Sequence, residues 1–130
     1  MRRLLVSLLP LVSWGMLSSA QTQSARTLDV YVIDVEGGEA TLFVSPSGES
    51  LLVDTGWPGF DGRDADRILA AARQAGITHI DYLVTTHYHS DHVGGVAQLA
   101  ARLPIRQFID HGSTVDDDER ALFQIGRAHV

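Results

Sequence analysis

The sequence predicts an α/β fold with a mixed sheet and flanking helices, and two observations support this fold class. Segments rich in β-branched and aromatic residues alternate with segments whose apolar residues recur at helical spacing. A dense group of histidines directly follows one of the strand-like segments, and the end of a strand is a usual place for a site in an α/β fold. The chain has 130 residues, which is enough for one modest domain.

Five segments have the composition of β-strands. Gly37 and Gly38 separate the first two, and the turn residues at 45–48 join the second to the third as a hairpin. The fourth strand leads into the histidines, and the fifth is short. The predicted strands are residues 28–35, 40–44, 51–53, 80–85 and 105–109.

Two segments have the apolar spacing of helices. The first helix is predicted to begin near Asp61, with Asp64 and Asp66 early, where the N-terminal dipole favours anions. Gly76 suits the position just after its end. The second helix follows Gly94-Gly95 and is closed by Pro104. The apolar stripes are Ala65, Ile68, Leu69 and Ala72 in the first helix, and Val96, Leu99, Ala100 and Leu103 in the second.

The N-terminus resembles a secretory signal peptide. Arg2 and Arg3 precede a mostly apolar run, and small residues stand before a predicted cut at Gln21. The alternative is an uncleaved anchor helix, but the apolar run is short for a bilayer span, so no stable membrane anchor is expected. Residues 1–20 are therefore predicted to be a signal peptide and 21–27 a disordered start of the exported chain. A periplasmic or secreted location follows.

Composition excludes some classes of site and partner. The chain has no Cys, so neither a disulfide nor a cysteine metal site is possible. Its formal net charge is -6, and an acidic surface disfavours non-specific binding to nucleic acid. A small-molecule or phosphodiester substrate is the expected partner, and the oligomeric state is not predicted.

The residues from 87 to 92 predict a metal site. His87 and His89 are two apart and point the same way in extended backbone, so they can converge on one ion. The turn that follows brings Asp91 and His92 to a second position nearby. Imidazole and carboxylate without thiolate suit Zn²⁺ and related divalent metals. The alternative is a polar loop whose histidines are only solvated, which four ligand-type residues at this spacing disfavour.

The pattern His87-x-His89-x-Asp91-His92, with Asp54-Thr55-Gly56 after an earlier strand, resembles the metallo-β-lactamase-fold hydrolases. Residues 34–40 are similar to the variant in stand-alone relatives of the DNA-uptake competence protein's hydrolase domain. The resemblance covers about residues 28–112. It implies the N-terminal half of an αββα sandwich, within a partial domain at 28–124.

The resemblance also implies roles for the site residues. His87 and His89 would hold a first metal, and Asp91 and His92 a second, so a complete domain would bind two Zn²⁺. Asp91 would also orient the nucleophile as the catalytic residue. Asp54 would hold the motif loop by hydrogen bonds from behind the ligands. The family's remaining ligands come from the second half of its domain.

The resemblance and the site together predict an exported, metal-dependent hydrolase that uses metal-activated hydroxide on a lactam, lactone, thioester or phosphodiester. His89 stands where di-iron oxygen-reducing relatives have an acidic residue, which favours hydrolysis. Two alternatives remain open. One is a metal-binding module without turnover, and the other is an iron-dependent redox member of the same fold.

Three further histidines lie outside the motif. His111 is either a first-site ligand or a site-lining or solvated residue, and His79 is predicted to be structural. His129 falls in residues 125–130, which resemble a translated sequencing adapter and are predicted to be non-native. On this interpretation the chain is a fragment, inactive alone and with weakly held metal. One apolar sheet face would be left uncovered, which a soluble monomer rarely tolerates.

Overall fold

The computed structural model describes residues 27–112 as a five-stranded sheet with helices. A 3₁₀ turn at Phe60–Gly62 leads into the first helix. The strands are β1 (Asp29–Val32), β2 (Thr41–Val44), β3 (Ser50–Val53), β4 (Ile80–Val84) and β5 (Ile105–Ile109). The helices are α1 (Arg63–Gln74), α2 (Ser90–Val93) and α3 (Val96–Ala100).

The strands lie in the sheet in their chain order. β1, β2 and β3 pair antiparallel, and β3, β4 and β5 pair parallel, so the sheet is mixed. The predicted fold class and the predicted hairpin between β2 and β3 are therefore confirmed. Because β3 and β4 are parallel, the residues after both strands meet at one edge of the sheet.

The core lies between one face of the sheet and the helices. Leu42 pairs with Leu52, and Leu52 pairs with Leu83, which places three fully buried leucines in one row across the sheet. The apolar stripe predicted for the first helix is buried against this face at Ala65, Ile68, Leu69 and Ala72. Gly76 has φ 71° just past the end of α1, as the sequence predicts.

Two element boundaries differ from the sequence prediction. β1 ends at Val32 rather than at residue 35, although the amide of Ile33 still donates to Ala40. α1 begins at Arg63 because Phe60 and Asp61 have φ of 44° and 52°, which a right-handed helix cannot contain.

The second helical segment begins earlier than its apolar spacing indicates. α2 already contains Asp91 and His92, and α3 continues after Gly95. The carbonyl of His89 accepts from the amides of His92 and Val93 and closes the first turn of α2. The glycines therefore separate two short helices, and half of the motif is helical.

The sheet face opposite the helices is apolar. Val30 pairs with Phe43 and points away from the buried row, and Val32 and Ile109 also lie on this face. Val32 is 83% exposed, Val30 49% and Ile109 44%. These residues lie on β1 and β5, the two edge strands of the sheet.

Some predictions fall outside the described residues. They are the signal peptide at 1–20, the loose segment at 21–26, the end of the partial domain at 113–124 and the tail at 125–130. Within residues 27–112, none of the helices has the length and hydropathy needed to cross a membrane.

Candidate metal centre

The predicted site residues lie at the carboxyl ends of β3 and β4. Asp54 follows β3, and its amide donates to the carbonyl of Val84 at 2.8 Å. Asp54 has φ 57°, in the left-handed region that Asp tolerates better than most residues. Its side chain is buried and points toward the segment after β4. This turn therefore places a carboxylate behind the histidine motif.

Three hydrogen bonds connect Asp54 to the motif. Its Oδ1 accepts from the amide of Thr86 at 2.8 Å, and its Oδ2 accepts from the Thr86 hydroxyl at 2.6 Å. Oδ2 also lies 2.8 Å from Nδ1 of His92. Asp54 thus holds both ends of the motif across 32 and 38 residues of chain.

These contacts determine which nitrogen of two histidines carries the proton. A carboxylate only accepts, so Nδ1 of His92 donates to Asp54, and in the neutral imidazole the lone pair is then on Nε2. The Thr86 hydroxyl gives its one hydrogen to Asp54, so it accepts from Nδ1 of His87, 3.0 Å away. Both imidazoles therefore present Nε2 as the nitrogen available to a metal.

The three motif imidazoles lie side by side. The ring centroids of His87 and His92 are 3.9 Å apart, and those of His87 and His89 are 4.7 Å apart at a near-perpendicular angle. Oδ2 of Asp91 lies 3.6 Å from Nε2 of His92. The four predicted ligands are thus neighbours in pairs, with His87 between His89 and His92, and His92 beside Asp91.

Backbone contacts hold α2 against two loops. The amide and hydroxyl of Thr55 both donate to the carbonyl of His92, at 2.7 and 3.0 Å. The amide of Glu39, in the loop between β1 and β2, donates to the carbonyl of Asp91 at 3.2 Å. Gly95 packs so closely on Thr55 that an added Cβ would collide with its carbonyl. The position of Asp91 and His92 therefore depends on both loops.

Two further histidines of residues 27–112 have other partners. His111 follows β5 and packs on the ring of Tyr88, with centroids 4.9 Å apart. His79 contacts Asp81 at 3.1 Å, at the opposite end of β4, which agrees with its predicted structural role. The ligand roles of His87, His89, Asp91 and His92 remain predictions. Among residues 27–112, no three His, Cys, Asp or Glu side chains stand in an arrangement that could hold an ion as a group.

The donor chemistry nevertheless fits a divalent metal. Two imidazoles use Nδ1 for hydrogen bonds to Thr86 and Asp54 and so leave Nε2 for a metal, and a further imidazole and a carboxylate adjoin them. Sequence reasoning missed Thr86 and Thr55, whose hydroxyls connect Asp54 and α2 to this arrangement. Their positions in the sequence could have indicated this role, since Thr55 directly follows Asp54 and Thr86 directly precedes His87.

Comparison with known proteins extends this picture. The sequence profile of the metallo-beta-lactamase superfamily matches residues 33–127. A hydroxyacylglutathione hydrolase of Xanthomonas axonopodis pv. citri is 39% identical over 61 residues, which are 47% of this chain and 21% of that protein. The beta-lactamase-like protein 2 homolog of Caenorhabditis elegans is 36% identical over 62 residues, 48% of this chain and 20% of its own. The chain thus spans about a fifth of the length of these relatives.

Two solved metallo-beta-lactamase structures align with part of this chain. MEM-A1, a subclass B3 enzyme from a soil metagenome library, aligns with a TM-score of 0.47 and 28% identity over 61% of this chain and 29% of its own. The Rm3 metallo-beta-lactamase aligns with a TM-score of 0.46 and 27% identity over 60% of this chain and 28% of its own.

Proposed function

This chain belongs to the metallo-beta-lactamase superfamily, and from that premise we propose that it carries part of the active site of a metal-dependent hydrolase. The observation that supports this most strongly is the contact set of Asp54. One buried carboxylate, directly and through Thr86, leaves Nε2 of both His92 and His87 with a lone pair. That is the arrangement that orients metal-ligating histidines.

The proposal assigns a role to each group. His87 and His89 would hold one Zn²⁺, and Asp91 and His92 would contribute to a second, with further ligands supplied from elsewhere in a complete domain. A divalent metal held here would lower the pKa of a bound water and polarise the substrate oxygen. The carboxylate of Asp91 would accept a hydrogen bond from the attacking water and so orient it toward the substrate. Asp54 would keep His92 and Thr86 in place.

A thioester is the substrate class we favour among lactams, lactones, thioesters and phosphodiesters. The curated relatives include hydroxyacylglutathione hydrolases, and an acylglutathione is a thioester. The formal charge of -6 also makes a nucleic-acid phosphodiester a poor partner. An acylglutathione is therefore the first substrate to assay, with a lactam and a phosphodiester beside it.

Removal of motif imidazoles tests the metal assignment. In the full gene product, His87→Ala and His89→Ala should each lower the zinc content and reduce hydrolysis at least tenfold, because each removes a ligand nitrogen. Elemental analysis and initial rates on the acylglutathione measure this. His79→Ala is the matched control, since His79 lies at the other end of β4 and bonds to Asp81. Zinc content unchanged in both motif variants would refute the proposal.

We also propose that the protein is exported and cleaved before Gln21, on the strength of the charged and apolar N-terminal sequence. Mass spectrometry of the protein from a bacterial envelope fraction should find Gln21 at or near the mature N-terminus. Intact Met1 in the soluble cytoplasmic fraction would count against export.

A further inference from the structure

The start of α1 carries a buried carboxylate that the proposed mechanism does not use. The side chain of Asp64 is fully buried, and both of its oxygens are occupied. Oδ2 accepts from the amide of Trp57 at 2.9 Å, and Oδ1 accepts from Nε of Arg63 at 2.7 Å. An added Cβ on Gly56 would lie 2.6 Å from Oδ2, so the carboxylate rests directly against the turn after Asp54.

That turn supports the second half of the metal motif. Thr55 donates twice to the carbonyl of His92, and the carbonyl of Gly56 accepts from the amide of Gly95 at 3.3 Å. The segment that Asp64 fixes at Trp57 therefore bonds to the backbone of α2 at His92 and to Gly95 just after this helix. A shift of this turn would move His92 with it.

Arg63 extends the same contact to the loop between β1 and β2. Its NH1 donates to Glu36 at 2.7 Å, and its NH2 donates to the carbonyl of Val35 at 3.3 Å. The hydrogen bond to Asp64 raises the pKa of Arg63 against the opposing effect of desolvation, so the guanidinium stays charged. The same loop reaches Asp91 through the amide of Glu39.

We propose that Arg63 and Asp64 are positioning residues for the metal motif: Asp64 fixes the turn that holds His92, and Arg63 fixes the loop that holds Asp91. This inference rests on the proposed function. Neither residue touches the candidate ligands, and both act through backbone hydrogen bonds. The alternative is a purely local role, in which Asp64 only stabilises the positive N-terminal end of α1, as any acidic residue in its first turn would.

The experiment compares Asp64→Asn with Asp66→Asn in the full gene product. Both residues lie in the first turn of α1, so both variants remove one favourable charge from the helix end. Asp66 is exposed and pairs with Arg102 instead. In Asp64→Asn, one oxygen can still accept, but the amide group faces a donor, so the contact to Trp57 or to Arg63 is lost.

Two readouts follow from the geometry. Amide hydrogen exchange at Thr55 and Glu39, which donate to the motif carbonyls, should accelerate in Asp64→Asn and stay unchanged in Asp66→Asn. Zinc affinity, measured against a competing chelator, should fall about tenfold in Asp64→Asn only. Amide exchange in β2, which pairs with both β1 and β3, serves as the internal reference for global stability.

The outcomes separate the two proposals. Equal exchange and equal zinc affinity in the two variants would show that Asp64 is a helix-end charge and would overturn the inference. If the wild-type protein binds no zinc, the proposed function fails, and exchange at Thr55 and Glu39 still decides whether Asp64 fixes the turns. If Asp64→Asn does not fold, Arg63→Lys decides, because Lys keeps the charge but not the three directed donors. Faster exchange confined to Glu39 and its loop would support the inference, and unchanged exchange there would overturn it.

Discussion

Two buried carboxylates occupy opposite ends of the parallel strands and have similar partners. Asp54 lies at the carboxyl end of β3 and bonds to a threonine amide, that threonine's hydroxyl and an imidazole. Asp81 lies at the amino end of β4 and accepts from the amide and hydroxyl of Ser50 and from His79. Each pair of aspartate and histidine could be taken for the start of a metal site.

The surroundings of the two histidines differ. His92 lies against the ring of His87, with Asp91 beside its far nitrogen. His79 instead shares Asp81 with Arg106, whose NH1 lies 2.7 Å from the carboxylate. Arg106, Asp81 and Ser50 stand in one row across β5, β4 and β3, so the cluster ties three strands together. A buried aspartate beside a histidine therefore indicates a metal site only when other ligand groups adjoin the imidazole.

The largest expected contrast comes from the same substitution at the two carboxylates. Asp54→Asn should weaken zinc binding or lower hydrolysis by roughly 10–100-fold, since it removes the acceptor that orients His92 and Thr86. Asp81→Asn should leave both within about twofold but lower the free energy of unfolding by about 1–3 kcal/mol, because buried donors of Ser50 lose an acceptor. Chelator competition, initial rates and urea unfolding measure these effects. A loss of zinc affinity in Asp81→Asn equal to that in Asp54→Asn would show that the comparison is wrong.

A smaller contrast is expected between two threonines that precede histidines. Thr86 connects Asp54 to Nδ1 of His87, whereas the hydroxyl of Thr78 lies 3.5 Å from Nδ1 of His79 and has no such carboxylate partner among residues 27–112. Thr86→Val keeps the branched shape but removes one hydrogen-bonded link, so zinc affinity should fall by about fivefold, equivalent to ~1 kcal/mol. Thr78→Val should leave zinc affinity unchanged. Equal affinities in the two variants would argue against a tautomer set through Thr86.

The smallest expected effect is the pH dependence of the stability that Asp81 contributes to the fold. Burial by itself raises the pKa of Asp81, but hydrogen bonds from Ser50 and His79, with the charge of His79, outweigh it and hold the pKa below 3.8. A lowered pKa in the folded state adds stability that is present above the unfolded value and is lost as the pH falls through the folded value. The stability difference between the wild type and Asp81→Asn should therefore shrink as the pH falls below about 3.8. Urea unfolding above and below this pH measures the difference, and a gap that widens as the pH falls below about 3.8 would contradict the assignment.

Much of the local structure was predictable because it depends on neighbours in the chain. The apolar stripe of α1 and the stop at Gly76 follow from helical periodicity and from the left-handed backbone that glycine accepts. The four candidate ligands are close in sequence, so a strand end followed by a turn was enough to gather them. The burial of Asp64 could also have been predicted from the sequence. Asp64 is four residues before Ile68, so it lies on the buried stripe of its helix.

The sequence by itself determined the α/β class, the extent of most elements and the composition of the histidine motif. Only the tertiary structure decided which carboxylate orients which histidine, because Asp54 and His92 are 38 residues apart and meet through the parallel pairing of β3 with β4. The same holds for Arg63 and Glu36, 27 residues apart. Side-chain periodicity shows which face of an element is buried, whereas strand register and helix packing select the partner found there.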